Sequence, residues 1–182
     1  MLARMKWIDC GREHLEAIRA IFNDAIANTT ALYENEPRSR AYMEDWLEAK
    51  RAAGWPVIGL LDNGGSLAGF GTYVQFRPLE GFRRTVEHSL YLSAAYRGRG
   101  LGKQLLEKLV DHAAGRGFHV MIAMIDGGNA TSVRLHEAAG FQHCGLLPEA
   151  GFKFGRWLDV IVMRRMLEDR SRSAPRPPDF RD

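Results

Sequence analysis

The chain has 182 residues, 46% hydrophobic and 26% charged, with a formal net charge of +3. That is enough chain for one domain with a core of its own, burying about two-thirds of the surface exposed on unfolding, and it excludes wholesale disorder. A charge excess this small excludes the dense basic face of a nucleic-acid binder and leaves a weak preference for anionic ligands.

Met5 to Ile8 reads as a short strand. Leu15, Ile18, Ile21, Phe22 and Ile26 then share one face of a helix over 13–27. Ser39 is placed to cap a second helix, 40–53, which Gly54 closes. Residues 55–61 and 67–76 are strands joined by an Asp62-Asn63-Gly64-Gly65 turn, and 86–93 is a third strand beyond the loop 77–84. An amphipathic helix carries Leu101, Leu105, Leu106, Leu109, Val110 and Ala113 on one face and stops near Gly115 and Gly117. Strands over 119–125, 141–147 and 156–166 enclose a last helix, 130–139, ended by Gly140. The order predicts an α/β (α+β) domain over 1–168, a mixed sheet with helices on both faces. Residues 169–182, rich in proline and arginine, read as a disordered tail.

Two cysteines, Cys10 and Cys144, give neither a disulfide framework nor a CxxC site, and the six histidines have no HExxH spacing, so no metal is expected. No apolar run reaches the ~18 residues of a membrane span, and the N-terminus lacks a secretory apolar stretch. The expectation is a cytoplasmic protein without nucleic-acid or membrane partners.

The most informative segment runs from Leu90-Tyr91-Leu92 through Arg97-Gly98-Arg99-Gly100-Leu101-Gly102-Lys103. A strand enters a loop of alternate glycines and a helix follows at once. Such glycines leave backbone N–H groups open to an oxyanion, and the helix N-terminus adds roughly half a positive charge. With Arg97, Arg99 and Lys103 around the same point, the segment predicts a pyrophosphate cradle. The competing reading is a tight turn with solvated arginines. Neither Walker A nor GxGxxG spacing is met, since with Gly98 as the first position the sixth is Lys103.

Arg97-x-x-Gly100-x-Gly102 resembles the acetyl-CoA loop of the GCN5-related N-acetyltransferase (GNAT) superfamily, and Asn129 to Phe141 resembles its second signature. Thr85-Val86-Glu87-His88-Ser89, Leu135-His136-Glu137 and Lys153 to Asp159 further resemble its phosphinothricin and methionine sulfoximine N-acetyltransferases, over roughly residues 3 to 167. The resemblance implies a mostly antiparallel central sheet with a splayed parallel pair. It also implies acetyl-CoA as co-substrate and direct acetyl transfer to the α-amino group of a small amino acid such as L-phosphinothricin, methionine sulfoximine or methionine sulfone. A homodimer is implied too. Acetylation of a peptide N-terminus or another small amine, or a non-catalytic acyl-CoA sensor, are the alternatives.

By the same resemblance Glu87 is the general base beside the amine; otherwise it is an edge-strand glutamate paired with Arg83 or Arg84. His136 is a proton-transfer residue, acid or base, with an ordinary pKa suited to either direction. Leu90, Tyr91, Leu92, Arg97, Gly98, Arg99, Gly100, Leu101, Gly102, Lys103, Asn129 and Ser132 are expected along the coenzyme, Asn129 being equally a helix N-cap. A main-chain N–H of residues 90–92 would stabilise the oxyanion. Arg77, Pro78, Leu79, Glu87, His88 and Ser89 are expected along the acceptor. There Arg77 could grip an anionic group, or be merely exposed. Strand alternation sends His88 to the face opposite Glu87. Cys144 is expected to be a buried hydrophobe rather than a nucleophile.

Overall fold

The structure is a computed structural model and describes residues 5–167. The tail expected at 169–182 lies outside the described residues.

Among the described residues, seven strands form one sheet in the order β1-β2-β3-β4-β5-β7-β6. They are β1 Lys6–Asp9, β2 Val57–Leu61, β3 Leu67–Gln75, β4 Thr85–Leu92, β5 Val120–Asp126, β6 Gln142–Lys153 and β7 Arg156–Met166. Every neighbouring pair is antiparallel except β4 and β5. The helices are α1 Leu15–Asn28, α2 Arg40–Ala52, α3 Leu101–Gly115 and α4 Ala130–Ala138.

Each face of the sheet has its own core. On one side Ile18, Ile21 and Phe22 of α1 meet Met43 and Leu47 of α2 over Phe70. Met43 and Leu47 stand one turn apart and are fully enclosed, worth roughly 1.5–3 kcal/mol each, which seats an otherwise exposed helix. The Ser39 hydroxyl accepts the Tyr42 N–H at 3.1 Å, so the expected cap is present. On the other side Leu106, Leu109 and Val110 of α3 pack on Val86, Met121 and Met163, with Phe141 closing the layer.

Two expectations need correcting. The strand expected to stop at Leu147 continues to Lys153. β6 is an edge strand, so Pro148 deprives no neighbour of a donor, and the register slips between Leu147 and Gly151 to absorb the irregular segment. There Glu149 takes φ 51°, and its N–H reaches Asp159 Oδ1 at 2.9 Å. Cys144, expected to be buried, is exposed: it falls at a second register shift of the same edge strand, between His143 and Gly145. Cys10 is the enclosed one, and burial pushes its thiol up to about 12.

Candidate active site

β4 is the strand on which the site is built. It pairs with β3 along its length but with β5 only through Thr85, Val86 and Glu87. From His88 onward the two parallel strands part, and among the described residues no strand pairs with that edge of β4. This is the expected splay, and it leaves main-chain groups on that edge, at Leu90 and at the Leu92 N–H, without a strand partner. Alternation divides the side chains. Val86 and Leu90 join the core under α3, whereas Tyr91 joins the core under α1.

The strand ends in a short turn, Ala94–Tyr96, then Arg97 to Gly100, then α3. Gly98 and Gly100 have φ of 74° and 76°, a region in which side chains strain the backbone, and a Cβ at either would meet nothing within 4 Å. Open space in front of the turn and the first N–H groups of a 15-residue helix, which have no partner within the helix, are features that suit an anion. The Arg97 guanidinium lies 2.6 Å from Asp24 and 3.2 Å from the Leu92 carbonyl, tying the turn to α1 and to the end of β4. Arg99 lies over Tyr96, whose hydroxyl donates to Asp62 in the β2–β3 turn. Lys103 sits near Glu107. Gly102 differs from its neighbours: it is buried, and a Cβ there would come within 2.8 Å of Leu135, so it permits α3 to lie against α4.

Glu87 is half-buried between β3 and β5. Burial pushes its carboxyl up from the ordinary value, and the nearby Arg77 cation opposes the rise. No salt bridge joins it to Arg83 or Arg84 among the described residues; Arg83 turns to Glu80. Gln75 Nε2 donates to the carbonyls of Arg77 and Leu79 at 2.7 and 2.9 Å, which folds Arg77, Pro78 and Leu79 beside the strand. Ser89 and Tyr91 share the face of Glu87, and burial pushes the Tyr91 hydroxyl up to about 12.

His88 points the other way and meets His136 of α4, Nε2 to Nε2 at 3.1 Å. His136 Nδ1 donates to the Ser132 carbonyl at 2.7 Å, one turn back on the same helix. The Asn129 side chain accepts the Ser132 N–H at 3.0 Å, so it is the N-cap of α4, its amide donors remaining for other partners. The structure therefore brings Glu87, Ser89 and Arg77 together, and separately His88 and His136.

Sequence reasoning missed how the loop 29–39 is tethered. The loop between α1 and α2 is held from three sides: Thr30 bonds Asp126 at the end of β5, Lys153 Nζ donates to the Leu32 carbonyl at 2.5 Å, and Tyr33 lies against Gly151. Arg38 grips Glu34 with two nitrogens and covers the Phe22 ring at 3.9 Å. Lys153 is 1% exposed, an ammonium enclosed in a hairpin strand. A lone lysine in an apolar strand before a turn was the signal available, and it carried no partner with it.

Comparison with known proteins gives a consistent result. The model of the acetyltransferase (GNAT) family matches residues 17–141. An L-methionine sulfoximine/L-methionine sulfone acetyltransferase of Pseudomonas paraeruginosa is 46% identical over 167 residues, covering 92% of this chain and 96% of that protein. A phosphinothricin N-acetyltransferase of Alcaligenes faecalis is 34% identical over 90% of this chain and 83% of its own length. Among solved structures, a GNAT superfamily phosphinothricin acetyltransferase from Sinorhizobium meliloti, in complex with acetyl-CoA, superposes with a TM-score of 0.88. It is 37% identical, over 99% of this chain and 95% of that one.

Proposed function

The chain belongs to the acetyltransferase (GNAT) family, and from that premise we propose an acetyl-CoA-dependent N-acetyltransferase acting on the α-amino group of a small, anionic amino acid of the methionine sulfoximine, methionine sulfone or phosphinothricin type. The observation that carries the reading is the pairing of an open anion seat at the start of α3 with a desolvated carboxylate on the adjoining splayed strand.

The residues fit the co-substrate. Gly98 and Gly100 leave the approach to the turn clear, and the N–H groups of Leu101, Gly102 and Lys103 would hold a diphosphate, with Arg97 and Arg99 at its rim. The free edge of β4 from Leu90 to Leu92 would pair with the pantetheine amides and offer an N–H where charge develops on the acetyl oxygen. Asn129 and Ser132, at the start of α4, would flank the same arm. When bound, acetyl-CoA supplies the activated acetyl group.

An amino-acid ammonium must lose a proton before it attacks. Glu87 is the base: burial raises its affinity for that proton, while Arg77 keeps the carboxylate available. Arg77, with Pro78 and Leu79 folded beside it and Ser89 on the same face, would receive the acceptor's anionic groups. His136 takes part in proton transfer on the α4 side. The reading extends to a domain of residues 1–168, a cytoplasmic setting and a homodimer. The last is supported by the apolar surface of the β6–β7 hairpin, where Leu146, Phe152, Phe154 and Trp157 are all at least half exposed.

The test is a panel of amino acids, amines and N-terminal peptides with acetyl-CoA, read by thiol release and product mass. Methionine sulfoximine or methionine sulfone should be acetylated with the highest kcat/KM. Preference for peptides would move the acceptor class, and thiol release with none of the panel would leave only a binding protein.

A further inference from the structure

Among the described residues, Arg38 Nη1 and His88 Nδ1 are side-chain polar atoms buried without a hydrogen-bond partner. The second belongs to an arrangement that fixes where hydrogens sit. A carbonyl oxygen only accepts, so His136 Nδ1, bonded to that of Ser132, carries the hydrogen. The neutral ring then offers a lone pair at Nε2. His88 Nε2 must donate to it, and the remaining lone pair of His88 stands at the unpartnered Nδ1. The rings stack at 5.1 Å and 22°, with Phe141 edge-on to both. An unpaired buried acceptor is costly, and an apolar side chain at position 88 would avoid that cost.

We infer that His88 and His136 form a one-proton relay in which His88 Nδ1 is the port and His136 the resting place. A proton delivered to His88 Nδ1 from a hydronium of the solvent, whose O–H bond breaks, makes one N–H bond. The His88 Nε2–H bond breaks as its hydrogen passes to His136 Nε2. His88 ends neutral with its hydrogen on Nδ1, His136 ends as imidazolium, and the single positive charge is the one that arrived. The reverse sequence returns it.

The surroundings decide where the charge rests. His136 is pulled down by burial but supported by its bond to the Ser132 carbonyl, while His88 is pulled down to about 3 by burial and by the neighbouring ring. No carboxylate or cation faces the pair from the elements around it among the described residues. Glu87 is on the other face of β4, Glu137 of α4 bonds His143, Arg134 reaches toward Thr131, and Arg165 of β7 donates to the Ala139 carbonyl. His88 acts through His136 and is thus a positioning residue.

The relay rests on the acetyl-transfer reading and deepens it. An ammonium that becomes an amide gives up two protons; one ends on the coenzyme thiol, and the pair can hold the other in transit. Nitrogen NMR of the imidazoles in the full ligand-free chain tests it directly. As His136 gains its proton, His88 should switch from the Nε2–H to the Nδ1–H form at the same pH without gaining charge. A His88 that keeps its form, or titrates as a separate site, overturns the relay. His88→Gln keeps an N–H to offer His136 but cannot pass a proton on. We expect kcat at least about tenfold lower, an altered pH profile and an unchanged KM for acetyl-CoA. An unaltered kcat and profile in a folded variant overturns the proposal, and the wild-type titration stands whether or not the variant folds. The NMR result is also independent of which acceptor the panel identifies.

Discussion

The two faces of β4 handle protons in opposite ways. On the α1 side Glu87 lies half-buried with a cation nearby, and its carboxyl is pushed up; one residue on, under α4, His88 lies enclosed against a second imidazole and is pulled down. Both shifts have the same first cause, burial, which penalises whichever form is charged. The usual order of proton affinity is therefore inverted, the carboxyl rising while the imidazole falls to about 3, although neither touches the other. Alternation along one strand is enough to place the proposed base on one face and the proposed proton store on the other.

The contrast is broken most severely by Glu87→Gln. Turnover should fall roughly 10²–10⁴-fold with the dissociation constant for acetyl-CoA unchanged, measured by steady-state kinetics and calorimetry. A loss of only a few-fold would transfer the role of base to the histidine side. Arg77→Ala sharpens the contrast instead. Removing the cation that opposes burial should move the acid limb of kcat/KM to higher pH, because Glu87 then keeps its proton longer. The KM for an anionic acceptor should rise roughly tenfold, as expected for a lost charge-assisted contact. A limb that stays in place would separate Arg77 from Glu87.

The smallest effect concerns stability. An unfolded histidine takes up a proton below about 6.5, whereas folded His88 resists until about 3, so the unfolded chain binds more protons between those values. Stability should decline as pH falls through that window, and His88→Gln should flatten the decline in urea melts. An unchanged slope would place the acid sensitivity elsewhere.

What could be read in the sequence was what is local. The turn at residues 97–102 announces itself because alternate glycines, arginines and an amphipathic helix are adjacent in the chain, and the alternation at Glu87 and His88 follows from strand period alone. Contacts between distant segments could not be read. His88 and His136 were each singled out, yet their bond spans 48 positions, and that between Lys153 and the Leu32 carbonyl spans 121. The length of β6 was misjudged because Pro148 breaks an interior strand but not an edge, a distinction that needs the sheet order. Cys144 went wrong for the same reason.

Gly102 makes α3 and α4 a yoked pair. With no side chain there, the helix that begins at the glycine turn rests directly on Leu135, the residue before His136. A methyl at 102 would meet the tip of the Leu135 side chain at 2.8 Å, so that side chain would have to turn aside, and the bare Cα is what lets the two helices share so close a seam.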